Sequence, residues 1–192
     1  MSTLAATMEI GTHPATALII GGLATAFLRG RFASMVLVIA PILGLWHVHT
    51  LEVGSASNLA LFGYDIIGVA VDQQAKLFGY LFHLAALVAG IYSFHLRDPW
   101  QISMALLYAA TAVGVAFAGD MLSLFLWWEG LAITSVFQIW GRKTKQAEES
   151  GFRYLFFHVS SGLLLLAGIL FRYHGEGASA LSLEPLTKAL EA

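Results

Sequence analysis

Cysteine is absent, which excludes a disulfide framework, a thiolate zinc site and a cysteine-ligated iron–sulfur cluster. If the protein works in a redox assembly, centres of that last kind belong to other chains. Charge is scarce as well. Only 11% of the 192 residues are Asp, Glu, Lys or Arg, against about 25% in soluble domains. The formal net charge is −2, and no basic patch is interleaved with aromatics, so a nucleic-acid partner is excluded. What fills the chain is apolar: 58% hydrophobic residues and a mean hydropathy of +0.74. This is the composition of an integral membrane protein. Six spans of about 20 residues would use roughly 120 residues, leaving only short connections and no separate soluble domain.

The expected fold class is an all-α membrane protein of about six transmembrane helices, forming a single domain over 1–192. Its apolar runs are 15–28, 32–49, 72–94, 102–118, 119–140 and 151–172, followed by a polar tail over 175–192. The first run has no basic segment before it and is followed by Arg29 and Arg31. That order opposes a cleaved signal and suits a first span with its N-terminus outside. Inner connections then hold Arg29 and Arg31, Arg97, and Arg142, Lys143 and Lys145; outer ones hold Glu52, Asp65, Asp72 and Asp120. The positive-inside bias agrees in all three inner connections, and six spans leave both ends outside. Pro41 falls inside the second run, where neighbouring helices can satisfy the freed carbonyl, so a kinked helix is expected rather than a break. Glu184 to Ala192 can form one amphipathic turn with Pro185 at its first position.

Between the second and third runs, Leu59, Leu61, Ile67, Val69 and Val71 alternate with small or polar residues around Gly63-Tyr64-Asp65. That pattern fits a short β-hairpin at the membrane surface, with an unordered hydrophobic loop as the alternative.

The residue that stands out is Glu129, near the middle of Gly119–Gly141. An ionised acid there costs a few kcal/mol by insertion scales, about 3 for Asp. Its neighbours one turn away, Phe125, Leu126, Ala132 and Ile133, offer no partner. One reading is ion or proton handling; the other is a neutral carboxyl hydrogen-bonded to the next helix as packing glue. His158 and His83, each near mid-span, are the next candidates, because imidazole both donates and accepts a proton near neutral pH. Each could equally be a neutral histidine bonded across a helix interface. Asp72, Lys76, Gly79, His83 and Gly90 share one helical face, and Asp72 with Lys76 can pair at the membrane edge. Lys76 is then a snorkelling edge residue or a site within a channel. Gly151, Tyr154, His158, Ser161 and Gly162 share a face of the sixth helix. Seven histidines raise the question of haem, but His83 and His158 could supply only one ligand pair. The remaining histidines lie at span ends or termini. No catalytic constellation, metal site or resident cofactor emerges. Trp46, Trp100 and Trp140 sit at span ends as interface anchors, whereas Trp127 and Trp128 pack beside the acid.

The run Phe125-Leu126-Trp127-Trp128-Glu129, then Gly151-Phe152-Arg153-Tyr154-Leu155-Phe156-Phe157-His158 and Gly162 to Gly168, resembles the antiporter-like membrane subunits. Respiratory complex I, membrane-bound hydrogenases and multisubunit (Mrp-type) cation/proton antiporters share these subunits. The Asp72 entry into the third span is similar too, and the Arg153-Tyr154-Leu155 wording is nearest to the D-type branch of the Mrp antiporters. The resemblance implies a multi-pass protein of the cell inner (cytoplasmic) membrane that conducts H⁺ or Na⁺. In it the fifth-helix glutamate, matched by Glu129, pairs with a seventh-helix lysine. This chain matches only the N-terminal half of the family pattern. The expectation is therefore a split subunit whose lysine comes from a separate chain, among other membrane subunits of the complex. A membrane anchor that conducts nothing is the alternative.

Overall fold

In a computed structural model, which describes residues 13–28, 30–61, 64–96, 98–177 and 181–183, side chains set four of the helix starts. Asp72 accepts from the Ala75 amide and opens a helix at Gln73; Asp98, with Pro99 just inside, accepts from Trp100. Asp120 and Ser123 form a reciprocal capping box, and Thr144 accepts from Ala147. The element order is α1 (Thr16–Thr25), α2 (Arg31–Thr50), β1 (Ala56–Leu61), β2 (Tyr64–Ala70), α3 (Gln73–Tyr92), α4 (Pro99–Ala116), α5 (Met121–Trp140) and α6 (Lys145–Glu176). The turn expected at Glu184 to Ala192 lies outside the described residues, as do Arg29 and Arg97.

Five of these helices, α2 to α6, are long and apolar enough to cross a membrane. The chain is thus a multi-pass membrane protein, mostly helical. The run over 15–28 is short for a span, and of Ile10 to Pro14, which could extend it, residues 10–12 lie outside the described residues. Helix α1 has 10 residues, about 15 Å at 1.5 Å per residue, against roughly 30 Å of hydrocarbon. The chain leaves the helix after Thr25 and turns through Gly30, whose φ of 64° is a glycine conformation. Helix α6 differs in the other direction. Its 32 residues reach about 48 Å, because Thr144 starts it a turn and a half before the apolar stretch. Pro41 sits within an unbroken α2.

The alternating stretch forms an antiparallel two-stranded ribbon, pairing Ala56 with Ala70 and Leu61 with Tyr64, with a bulge at Ser57/Asn58. Its second strand is fastened to the α4–α5 connection. The Ala70 amide donates to the Phe117 carbonyl at 2.8 Å and the Gly119 amide to Ile67 at 3.1 Å. The buried Asp120 carboxylate takes the Ile67 amide as well as capping α5. On the opposite face, Lys143 pairs with Asp98 at 3.0 Å, Gln101 donates to the Gly141 carbonyl, and Ser34 donates to Leu96. These contacts gather the α3–α4 and α5–α6 connections and the start of α2 on one side, which we call the basic face. The ribbon marks the other.

The core lies among α1, α2 and α4, with Leu18, Leu37, Val48, Ile102, Leu106 and Val113 buried and Phe117 closing the ribbon end. Helices α2 and α3 meet backbone to backbone: a Cβ on Gly90 would stand 2.4 Å from the Leu37 carbonyl oxygen. A carbonyl cannot swing aside as a side chain can. Gly90→Ala should therefore cost about 1–3 kcal/mol, the range for overpacking, in reversible denaturation in mixed micelles. An unchanged midpoint would contradict this contact.

The hydrogen bond from Lys143 holds the Asp98 carboxyl below its usual range, with help from the Trp100 amide. Such a pair stabilises at neutral pH and loses its effect as pH falls through the carboxyl's folded-state value. Lys143 is 75% exposed, so the effect is worth well under about 1 kcal/mol. Asp98→Asn should erase that small acid-side loss in a stability–pH profile and shift the neutral plateau only slightly.

Candidate functional site in the α5–α6 seam

Helix α5 begins at Asp120 and carries Glu129 to mid-helix, on the face turned toward α6. What meets it there is Gly162. A Cβ at that position would stand 1.9 Å from Oε1 and 2.8 Å from the carboxyl carbon. The glycine therefore holds open the space that the carboxylate fills. Oε1 is buried and has no hydrogen-bond partner among the described residues. The packing-glue reading required a bond to the neighbouring helix, and none is made to this oxygen. A buried carboxylate oxygen without a donor carries the full cost of its lost hydration.

His158 lies one turn before Gly162 on the same helix. Its ring stacks on Trp128 at 5.9 Å and lies 5.6 Å from Tyr154. Its Nε2 is also buried without a partner, so the acid and the imidazole share the seam without bonding to each other. Towards the basic face the seam closes with a hydrogen bond of 2.7 Å between Ser135 and Tyr154 hydroxyls. Glu129 itself is half-buried, and beside it Phe157, Leu163 and Leu164 stand 71%, 62% and 75% exposed. The seam opens onto a broad apolar flank.

The other expected site residues lie elsewhere. His83 is fully buried on α3, where its Nδ1 donates to the Gly79 carbonyl at 2.7 Å. It faces Gly44 of α2 and does not join Glu129. Asp72 and Lys76 form no ion pair. The Asp72 carboxylate is taken by the Ala75 amide, while the Lys76 ammonium donates to the Leu51 carbonyl at 2.6 Å. The cap won because an amide three residues on is fixed in place, whereas an exposed pair must order two flexible chains. Of the two expected neighbours of the acid, only Trp128 lines the seam. Trp127 turns to Gly114 of α4 and to His13, 4.7 Å between ring centres. Gly162 and Asp120 were not singled out as site and anchor. Glycine carries no chemical signal, but the Asp-x-x-Ser spacing ahead of an apolar run is a legible capping box.

No protein-family model and no curated protein matches the sequence. Among solved structures, the chain is similar to a chain of the membrane-bound sulfane sulfur reductase, an archaeal respiratory membrane complex. The TM-score is 0.80 at 19% identity, covering 93% of this chain and 30% of that one. At that identity the likeness is one of fold. The chain spans only 30% of the length of that chain.

Two outcomes follow from the seam. Glu129→Leu should stabilise the chain on its own by about 1–3 kcal/mol, since the buried oxygen without a donor is removed. Gly162→Ala should leave stability nearly unchanged, because the carboxyl end can swing away, yet move Glu129 out of the seam. Denaturation midpoints of both variants check this; a destabilised Glu129→Leu would mean that the carboxylate is satisfied.

Proposed function

We propose that the chain is an ion-translocating, antiporter-like membrane subunit of a multisubunit assembly related to complex I, membrane-bound hydrogenases or Mrp-type antiporters. The observation that carries this reading is the Glu129 oxygen, buried beside Gly162 without a donor. In this reading a lysine on a helix of a second polypeptide docks along the apolar α5–α6 flank and completes the site. The paired charges are favourable to each other in low dielectric, and removing one partner costs roughly 3–5 kcal/mol. Drawing the lysine away leaves the carboxylate to take a proton; returning it releases that proton. His158, one turn before Gly162 on α6 and with an Nε2 that has no partner among the described residues, receives or supplies the proton on the basic-face side of the pair. The fold likeness to a respiratory-complex subunit and the resemblance around Glu129 support the assembly. The basic connections support an orientation with the ribbon outside and the basic face in the cytoplasm. The residues alone fit H⁺ or Na⁺ as the coupling ion.

Glu129→Gln keeps the shape and removes the charge. In the assembled complex it should abolish ion translocation while the subunits still co-purify. Full transport in that variant would remove Glu129 from the mechanism. A chain that only anchors its neighbours would tolerate Glu129→Leu without loss of complex activity.

A further inference from the structure

Helices α3 and α4 face each other with alanines and yet do not close. Ala86 and Ala89 line one wall of the gap between them, and Ala105, Ala109 and Ala112 the other, each set on one helical face. Side chains this small normally let two helices approach closely, as α2 and α3 do at Gly90. Here they leave a crevice of about 320 Å³, floored by Leu37 and Leu106 and open on the side where Ala85 and Ala89 are exposed. Its walls run from Ser93 and Gln101 at the basic face to Phe82 and Ala112. Each wall is roughly 17 Å of helix at about 1.5 Å per residue, the depth of one leaflet, or half of about 30 Å of hydrocarbon. The crevice is therefore roughly 20 Å² in cross-section, against about 80 Å² for a helix about 10 Å across. A single hydrocarbon chain fits that slot, and a transmembrane helix does not.

The end of the crevice at the basic face is polar and cationic. Ser93 and Gln138 line it, and neither side chain has a hydrogen-bond partner among the described residues. Two hydrogen bonds to lining residues bring basic side chains to this rim. Ser34 donates to the Leu96 carbonyl, which places the first turn of α2, with Arg31, beside it. Gln101 donates to the Gly141 carbonyl, which places Arg142 on the other side. Both arginines are exposed, and neither has an acidic partner among the described residues. The acid at this rim, Asp98, is taken by Lys143. Uncompensated positive charge thus stands over an apolar slot.

We propose that this crevice holds one acyl chain of an anionic glycerophospholipid, with its phosphate at the rim between Arg31 and Arg142. A guanidinium fork matches phosphate oxygens two at a time. The Ser93 hydroxyl and the Gln138 amide donate to the remaining phosphate or ester oxygens. The second acyl chain stays in the bilayer along the exposed side of α3. Seated there, the lipid fills a gap whose walls otherwise forfeit their dispersion contacts. It also ties α3, α4 and the start of α2 together at the basic face, where the chain's own links are single hydrogen bonds. In the orientation proposed above, it belongs to the cytoplasmic leaflet. The site shares no residue with the Glu129 seam and stands or falls separately.

Native mass spectrometry of the full chain tests it, after transfer into mild detergent from bilayers of equal phosphatidylglycerol and phosphatidylcholine. One phosphatidylglycerol should stay bound per chain, preferred over phosphatidylcholine roughly thirtyfold, the scale of two basic side chains at an anionic surface. Arg31→Gln combined with Arg142→Gln should bring that preference close to unity. Ala109→Phe fills the crevice and should release the lipid. The double variant changes only exposed positions, so it decides the matter even if Ala109→Phe fails to insert. Equal retention of the two lipids by the native chain, a preference unmoved in the double variant, or a lipid still held by Ala109→Phe overturns the proposal. So does an assembled complex in which a neighbouring subunit fills the crevice.

Discussion

A carboxylate oxygen closed into an apolar seam, with a glycine opposite and no donor in reach, is the constraint around which this molecule is arranged. Water cannot follow it freely, and no described side chain satisfies it. Either the group is neutralised, or a donor or cation arrives from a neighbour. The flank beside it is apolar and exposed, so a second helix can reach the acid without displacing any element of this fold.

The scaffold fixes the acid from the ribbon end. Asp120 starts α5 and also takes the Ile67 amide of β2, so the ribbon and the helix start are a single joint. From there a rigid helix sets the depth of Glu129, about 13 Å farther along. The backbone contact of α2 and α3 at Gly90 and the close fit of His83 against Gly44 lock the other half of the bundle. The polar interior is therefore divided. An acid and an imidazole occupy the α5–α6 seam, and histidines occupy the α2–α3 side.

Much of this was legible because a membrane imposes simple rules. Hydropathy located the five long helices, and a lone carboxylate among apolar residues marked Glu129. Period-two alternation marked the ribbon. What escaped were features decided by competition or by distant contacts. Spacing offered Lys76 to Asp72, but an amide fixed by the helix itself claimed the carboxylate. The apolar run over 15–28 is short for a span, and its last residues leave the helix and turn at Gly30. Gly162 and Gly44 matter through the side chains they make room for, which sequence order does not reveal. His13 read as a terminal residue because its partner, Trp127, is remote in sequence.

The central claim is that another polypeptide supplies the positive charge that Glu129 lacks. The most direct test is the distance, in a structure of the assembled complex, from the Glu129 carboxylate oxygens to the nearest lysine or arginine nitrogen of a neighbouring chain. The account predicts a nitrogen within about 4 Å, the limit of an ion pair, reached along the α5–α6 flank. A carboxylate facing lipid, or bonded only to a neutral donor, would contradict it.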